Sequence, residues 1–475
     1  MSFASVAAQH DPAKPFIICD DGRIFTYSQF WQLTGQLAQA LMNAGAQKGD
    51  RIAVQVEKSV EAIALFYTCV RAGLVFLPLN TAYTPSEISY FLSDAQPSLF
   101  ITSPDKPAGV ECKHFTLDHK GSGTLMDAAH QSSTFTDVPS DAETLCAILY
   151  TSGTTGKSKG AMLTQGNLFS NAAALVQAWR FTANDTLIHA LPVYHTHGLF
   201  VATNTCFLSG AKMLFRRKFD ASDVLGLIPQ ATVLMGVPTF YTRLLQQQGL
   251  TRDLCKSMRL FVSGSAPLLA ETHREFETRT GHAILERYGM TETNMNTTNP
   301  YDGKRKPGTI GMALPGTSVR LREGMIEVKG PNVTKGYWRN EEKTKASFTD
   351  DGYFITGDLG HFDDENYLVI SGRGSDLIIT GGFNVYPKEI EERIDAMQGV
   401  LESAVIGVPH PDFGEAVTAI VVPKSGAQLD TAKMISELRL HLAAFKVPKT
   451  IHFVAELPRN AMGKVQKKAL RETYS

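Results

Sequence analysis

The sequence predicts an α/β protein: a large N-terminal α/β region, a β-rich stretch after it, and a small α+β domain at the C-terminus. Three observations carry this. Apolar runs alternate with amphipathic stretches from Asp50 to Gly281, the signature of parallel strands joined by helices. Beyond Pro307 the pattern turns to alternation with tight turns. After "SGRGSD" (Ser371–Asp376) it changes again, to helices and strands in a short run to the end of the chain.

The elements follow in order. "DRIAVQV", "SVEAIALFYTCVRAG" and "LVFLPL" read as strand, helix, strand, and the strands are apolar enough to be covered on both faces. The unit recurs in "LFIT" and in "DTLIHALPV" with the helical stretch behind it. It recurs again in "ATVLMGV" with "PTFYTRLLQQ", and in "MRLFVSG" with "LLAETHREFETRTG". "SVRLREGMIEVKG" alternates and turns as antiparallel strands do. From "NVYPKEIEERIDAM" onward the order is helix, strand ("ESAVIGV"), strand ("AVTAIVV"), helix ("TAKMISELRLHLAAF") and strand ("TIHFV"). No tandem repeat or low-complexity run interrupts the 475 residues.

Composition narrows the function. With 46 basic and 47 acidic residues the net charge is −1, which argues against a nucleic-acid binder that relies on a strong global field. Small anionic ligands remain open, since they need only local positive groups. The six cysteines form no C-x-x-C pair, so neither a zinc site nor a disulfide framework is expected, and a reducing compartment fits. The N-terminal stretch lacks a basic segment followed by a long apolar one, and no apolar run is long enough to span a bilayer. The expectation is a cytoplasmic protein without membrane partners.

"YTSGTTGKSKG" (Tyr150–Gly160) asks for a phosphate ligand. Glycines and hydroxyl side chains in one loop can wrap N–H and O–H groups around phosphates, with a lysine supplying charge. A Walker loop needs glycine where Thr151 stands, so a P-loop kinase is excluded. Downstream, "ERYGMTET" sets Tyr288 beside Glu292, a ring for a base and a carboxylate for Mg²⁺. "FITGDLG" sets Asp358 in a turn after a strand, an acceptor for ribose hydroxyls, and "SGRGSD" offers Arg373 to the same sugar. "PRNAMGKVQKKAL" presents Lys464 on a loop near the C-terminus. Alone, each has a plainer reading as a solvated turn, a core tyrosine, a turn aspartate or a surface cation. Together, in this order, they do not.

The chain resembles the adenylate-forming acyl-CoA synthetases, the superfamily that also holds luciferases and the adenylation domains of peptide synthetases. The resemblance covers essentially the whole chain and rests on "YTSGTTGKSKG", "YHTHGLF", "SGSAPL", "RYGMTE", "YFITGDLG", "GRGSDLIITGGFNVYPKEIE" and "PRNAMGKVQK". It implies an AMP-binding domain over 1–372 and a mobile domain over 373–475, with a hinge near Ser375, where relatives carry Asp or Lys. It implies ATP, Mg²⁺ and CoA as ligands. Thr151, Ser152, Gly153, Thr154, Thr155, Gly156 and Lys157 would hold the phosphates, and Glu292 with Thr151 the metal. Ser263, Gly264, Ser265, Ala266 and Tyr288 would form the adenine pocket, Gly289, Met290 and Thr291 would also bind ATP or AMP, and Asp358 and Arg373 would hold the ribose. Lys464 would stabilise the adenylation transition state, and Gly381 and Gly382 would line the path of CoA.

The acid is narrowed by Arg287 and by "YHTHGLFVATN" with His197. A buried guanidinium asks for an anion, and a dicarboxylic acid brings one beside its reacting carboxylate. His197 or Ser263 could add a hydrogen bond. Both stretches closely resemble those of malonyl-CoA synthetases, which points to malonate, and to methylmalonate as a second substrate. The alternatives stay open here. Arg287 could pair internally with Glu286 or Glu292, leaving a short- or medium-chain or aryl acyl-CoA ligase. A carrier-protein thiol could replace CoA. Loss of chemistry would leave a nucleotide-binding relative. A monomer or weak dimer is expected.

Overall fold

A strand's apolar character is useful only if both its faces are covered, and here two sheets with helices on them do the covering. The computed structural model describes residues 2–106, 112–131, 135–151, 158–380, 383–460 and 463–475. They divide into two compact units, Met1–Val319 with Val328–Phe354, and Arg320–Glu327 with Ile355–Ser475.

The first unit holds a nine-stranded and a six-stranded sheet. In the larger one, Leu285–Met290, Leu260–Ser263, Val233–Gly236, Thr186–His189, Lys212–Phe215 and Pro15–Cys19 run parallel in that order. In the smaller, Lys113–Thr116, Leu99–Thr102, Arg51–Gln55, Val75–Pro78 and Leu145–Thr151 are parallel, and Lys159–Thr164 closes the edge antiparallel. The helix Val60–Ala72 is buried along its whole length. Ser59 caps its start by accepting from Ala62 N–H, and Gly73 ends it with φ +64°, where a glycine pays no Cβ penalty. Its Phe66 and Tyr67 meet Phe3 and each other edge to face, Tyr67 meets Phe30 in the same way, and Phe207 packs on Tyr67 at a tilt.

The second unit contains an antiparallel sheet whose strands Phe354–Phe362 and Leu368–Arg373 pair directly. Its other sheet pairs Val400–His410 with Gly414–Pro423, and Thr450–Phe453 joins the latter in parallel. The helices Pro387–Asp395 and Thr431–His441 bury Ile390, Ile394, Met434 and Leu438 in one core with Val405, Val417 and Val421. The helix–strand–strand–helix–strand order expected from "NVYPKEIEERIDAM" onward is the observed one.

One expectation is corrected. Asp358 does not lie in a turn after a strand: it sits inside Phe354–Phe362, opposite Arg373. Gly357 just before it has φ +77°, and the register with Leu368–Arg373 shifts between Leu359 and Gly360, as at a β-bulge.

Candidate functional site

In parallel sheets, ligands bind at the carboxyl ends of the strands, and in the first unit the predicted residues collect there. Ser263 ends its strand in register with Gly236 and Glu286 of the neighbours. Arg287 and Tyr288 follow along Leu285–Met290, and Thr151 ends Leu145–Thr151. Gly289 and Met290 pair with Met295 and Asn294 across a hairpin, and Glu292 lies in its turn. A Cβ on Gly289 would stand 2.0 Å from the Asn294 carbonyl oxygen, so only glycine fits there.

Glu292 is buried, and its Oε1 accepts from the Thr151 hydroxyl at 3.1 Å and from the Tyr337 hydroxyl at 3.0 Å. Burial and the nearby Glu292 charge raise the Tyr337 phenol, so it stays a donor at neutral pH. No group of three metal-ligating side chains exists among the described residues. One carboxylate beside a hydroxyl suits a magnesium ion that arrives on phosphates and takes one protein carboxylate. Tyr337 escaped the sequence reading because nothing in "KGYWRN" marks it; only folding brings it to Glu292.

Arg287 is 4% exposed, and its Nε and Nη2 have no hydrogen-bond partner. Burial pulls its guanidinium down to about 9. The internal salt bridge left open above is not formed. Glu286 Oε1 lies 3.3 Å from His273 Nδ1 and accepts from Gly308 N–H at 3.0 Å, and Glu292 is engaged as described. The guanidinium lies against Gly264. A Cβ there would come within 2.5 Å of its Cζ, 2.6 Å of Nε and 2.7 Å of Nη1.

Other buried polar atoms near this cation are also without partners, namely Ser263 Oγ and His197 Nε2. His197 opens a π-helical turn, His197–Ala202, and its Nδ1 lies 3.2 Å from Ser265 Oγ. Burial and Arg287 hold His197 well below its ordinary value and His195 at about 4, so both rings are neutral at neutral pH. Ser265 has φ +72°, a strained conformation for a residue with a Cβ, and Ala266 follows it, half-buried. An orphaned buried donor costs on the order of 1–3 kcal/mol. Several around one uncompensated cation make a site that an anion would complete.

The second unit brings Asp358, Arg373 and Lys464 together. Arg373 Nε lies 3.0 Å from Asp358 Oδ1. Lys464 closes a turn with Asn460, donating from its N–H to Asn460 Oδ1 at 3.0 Å and accepting from Asn460 N–H at 2.9 Å. Burial first, then the Arg373 charge, pull its ammonium down to about 8 against the opposing pull of Asp358 and Asp376. Ser375 is exposed in the short turn Gly374–Asp376. Ser152, Gly153, Thr154, Thr155, Gly156, Lys157, Gly381 and Gly382 lie outside the described residues.

Two family models match the chain: AMP-binding enzyme over residues 4–338, and AMP-binding enzyme C-terminal domain over 389–464. The chain belongs to the AMP-binding enzymes. Within that family it is 34% identical to a malonate–CoA ligase of Arabidopsis thaliana, over 92% of this chain and 80% of the relative. It is 33% identical to a sulfoacetate–CoA ligase of Cupriavidus necator, over 98% and 95%. Among solved structures, ATP-bound MatB of Rhodopseudomonas palustris is 56% identical, with a TM-score of 0.97 over 100% of this chain and 99% of that one. This AMP-binding enzyme has, among its described residues, no helix long and apolar enough to cross a membrane.

Proposed function

We propose that this chain joins malonate to CoA with ATP, giving malonyl-CoA, AMP and pyrophosphate through an acyl-adenylate. The carrying observation is Arg287, a buried guanidinium with two unpartnered nitrogens and no carboxylate beside it among the described residues. The malonate–CoA ligase relative and the match to MatB support the same acid.

In the first half-reaction a carboxylate oxygen of the acid attacks the α-phosphorus of ATP, and pyrophosphate leaves. In the second, the CoA thiolate attacks the acyl carbon and AMP leaves. The distal carboxylate lies on Arg287, whose fork suits bidentate binding, with His197 Nε2 and Ser263 Oγ as further donors. Methylmalonate is the second substrate of this reading. Glu292 and Thr151 would hold a magnesium ion, which would supply neutralising charge at the phosphates. Residues 151–157 follow the phosphates, Ser263–Ala266 and Tyr288 flank the adenine, and Asp358 and Arg373 hold the ribose. Lys464 keeps its proton and steadies charge on the carboxylate and α-phosphate oxygens in the transition state. The segment turning near Ser375 then exchanges Lys464 for Gly381 and Gly382, which line the path of CoA. Buried free cysteines support a cytoplasmic location.

The test is CoA-dependent AMP release with malonate, methylmalonate, acetate, butyrate and benzoate, for the wild type and Arg287→Ala. Preference for malonate, with a rise in its KM of about 100-fold in the variant and an unchanged KM for ATP, is the expected result. A preference for a monocarboxylate would overturn the malonate reading and make Arg287 structural.

A further inference from the structure

The first unit buries a lysine that the reaction above does not use. Lys58 is 8% exposed, burial holds its amine well below the ordinary lysine value, and its Nζ lies within hydrogen-bond distance of three acceptors: His189 Nδ1 at 3.0 Å, the His189 carbonyl at 2.9 Å and the Arg216 carbonyl at 2.7 Å. It also lies 4.3 Å from the centre of the Phe215 ring. Replacing buried polar or ionic groups by well-packed apolar side chains is often neutral for stability, so stability alone is a poor reason for it.

The contacts lead from Lys58 to the acid site. With Nδ1 accepting from Lys58, His189 carries its proton on Nε2, which lies 2.9 Å from the Gly198 carbonyl oxygen and 3.2 Å from Thr203 Oγ1. The Thr203 hydroxyl donates to the same carbonyl at 2.9 Å, and so does the Thr203 N–H. Three donors therefore converge on one oxygen of the π-helical turn, next to His197. Gly198 is fixed from the other side as well: a Cβ there would be 2.1 Å from the Pro192 carbonyl oxygen. π-helical turns collect at functional sites because they re-aim a side chain, and a re-aimed side chain must be held.

We infer that Lys58 and His189 are positioning residues for recognition of the acid: they fix the turn that carries His197 and so set where its Nε2 meets the distal anion. This rests on the malonate reading. Neither residue touches substrate. They act through the Gly198 carbonyl, on the turn that carries His197. An error of about 1 Å in such a placement is enough for large losses in rate or affinity.

Lys58→Met keeps the apolar stem and removes the donors. The expected result is a KM for malonate raised about tenfold, a KM for ATP within about twofold of wild type, and a kcat little changed. In ¹⁵N-imidazole spectra, His189 should lose the pattern of a protonated Nε2 with an accepting Nδ1. Thr203→Val, which leaves Lys58 in place and removes one of the three donors, should give a smaller rise of the same kind. Folded variants with an unchanged KM for malonate would overturn the inference. So would KM values for malonate and ATP that worsen together with the thermal midpoint, since a merely structural role does that. Arg287→Ala separates the two readings: a rise there but not in Lys58→Met defeats only the positioning role, while no rise in Arg287→Ala defeats the malonate assignment.

Discussion

Lys464 carries its charge at neutral pH with less margin than usual, its ammonium held down to about 8. It acts as a cation, so as pH rises through about 8 it loses its proton and the rate of adenylation should fall, while malonate still binds to Arg287, which stays charged. Pre-steady-state adenylation measured from pH 7 to 10 checks this, and Lys464→Gln should lack that limb. Tyr337 gives a second residue-scale prediction. Tyr337→Phe removes one of the two hydrogen bonds on Glu292 Oε1, and outer partners of this kind are worth about 10–100-fold in metal affinity. The Mg²⁺ needed for half-maximal activity should rise within that range, with the KM for malonate unchanged. At this scale the sequence is readable in type and unreadable in pairing. An arginine in "ERYGMTET" invites an anion, yet its isolation depends on Glu286 turning to His273 and Glu292 to Thr151, and neither choice is written in local spacing.

The helix Pro387–Asp395 ends on a carboxyl that burial raises to about 7, with Glu391 and Glu402 adding like charge and Ser403 hydrogen bonding opposing the rise. Its Oδ1 has no partner. In the unfolded chain this group ionises near 4, so between those values the unfolded state binds fewer protons than the folded one and stability falls as pH rises. Asp395→Asn removes that slope. The variant's thermal midpoint should exceed wild type more at pH 8 than at pH 5, and equal differences at both would refute the account. Elements were legible where period and apolarity agreed, as in Val60–Ala72. They were less so where a glycine hides continuity, which is why Asp358 read as a turn. The strand Pro15–Cys19 shows the other limit, since it pairs with Lys212–Phe215, and a contact that distant in sequence leaves no local trace.

For the whole molecule, ordered motifs made both the fold class and the family readable, because several chemistries had to recur in one order. The division of labour is less legible: Thr151, Glu292 and Arg287 belong to one unit, while Asp358, Arg373 and Lys464 share the other. If the turn at Ser375 must rotate between half-reactions, Ser375→Pro, which fixes φ, should leave pyrophosphate exchange within a few-fold of wild type. CoA-dependent thioester formation should drop at least about tenfold. Parallel losses in both would mean that the hinge lies elsewhere. The close seat of Arg287 on Gly264 also constrains how such an enzyme can change its diet. A methyl group at 264 collides with the guanidinium while Arg287 is present, and loss of the arginine removes that collision. The two substitutions are therefore ordered: a lineage or a directed-evolution campaign moving toward apolar acids must lose the arginine before it can fill the space beneath it, and the return journey must clear that space first.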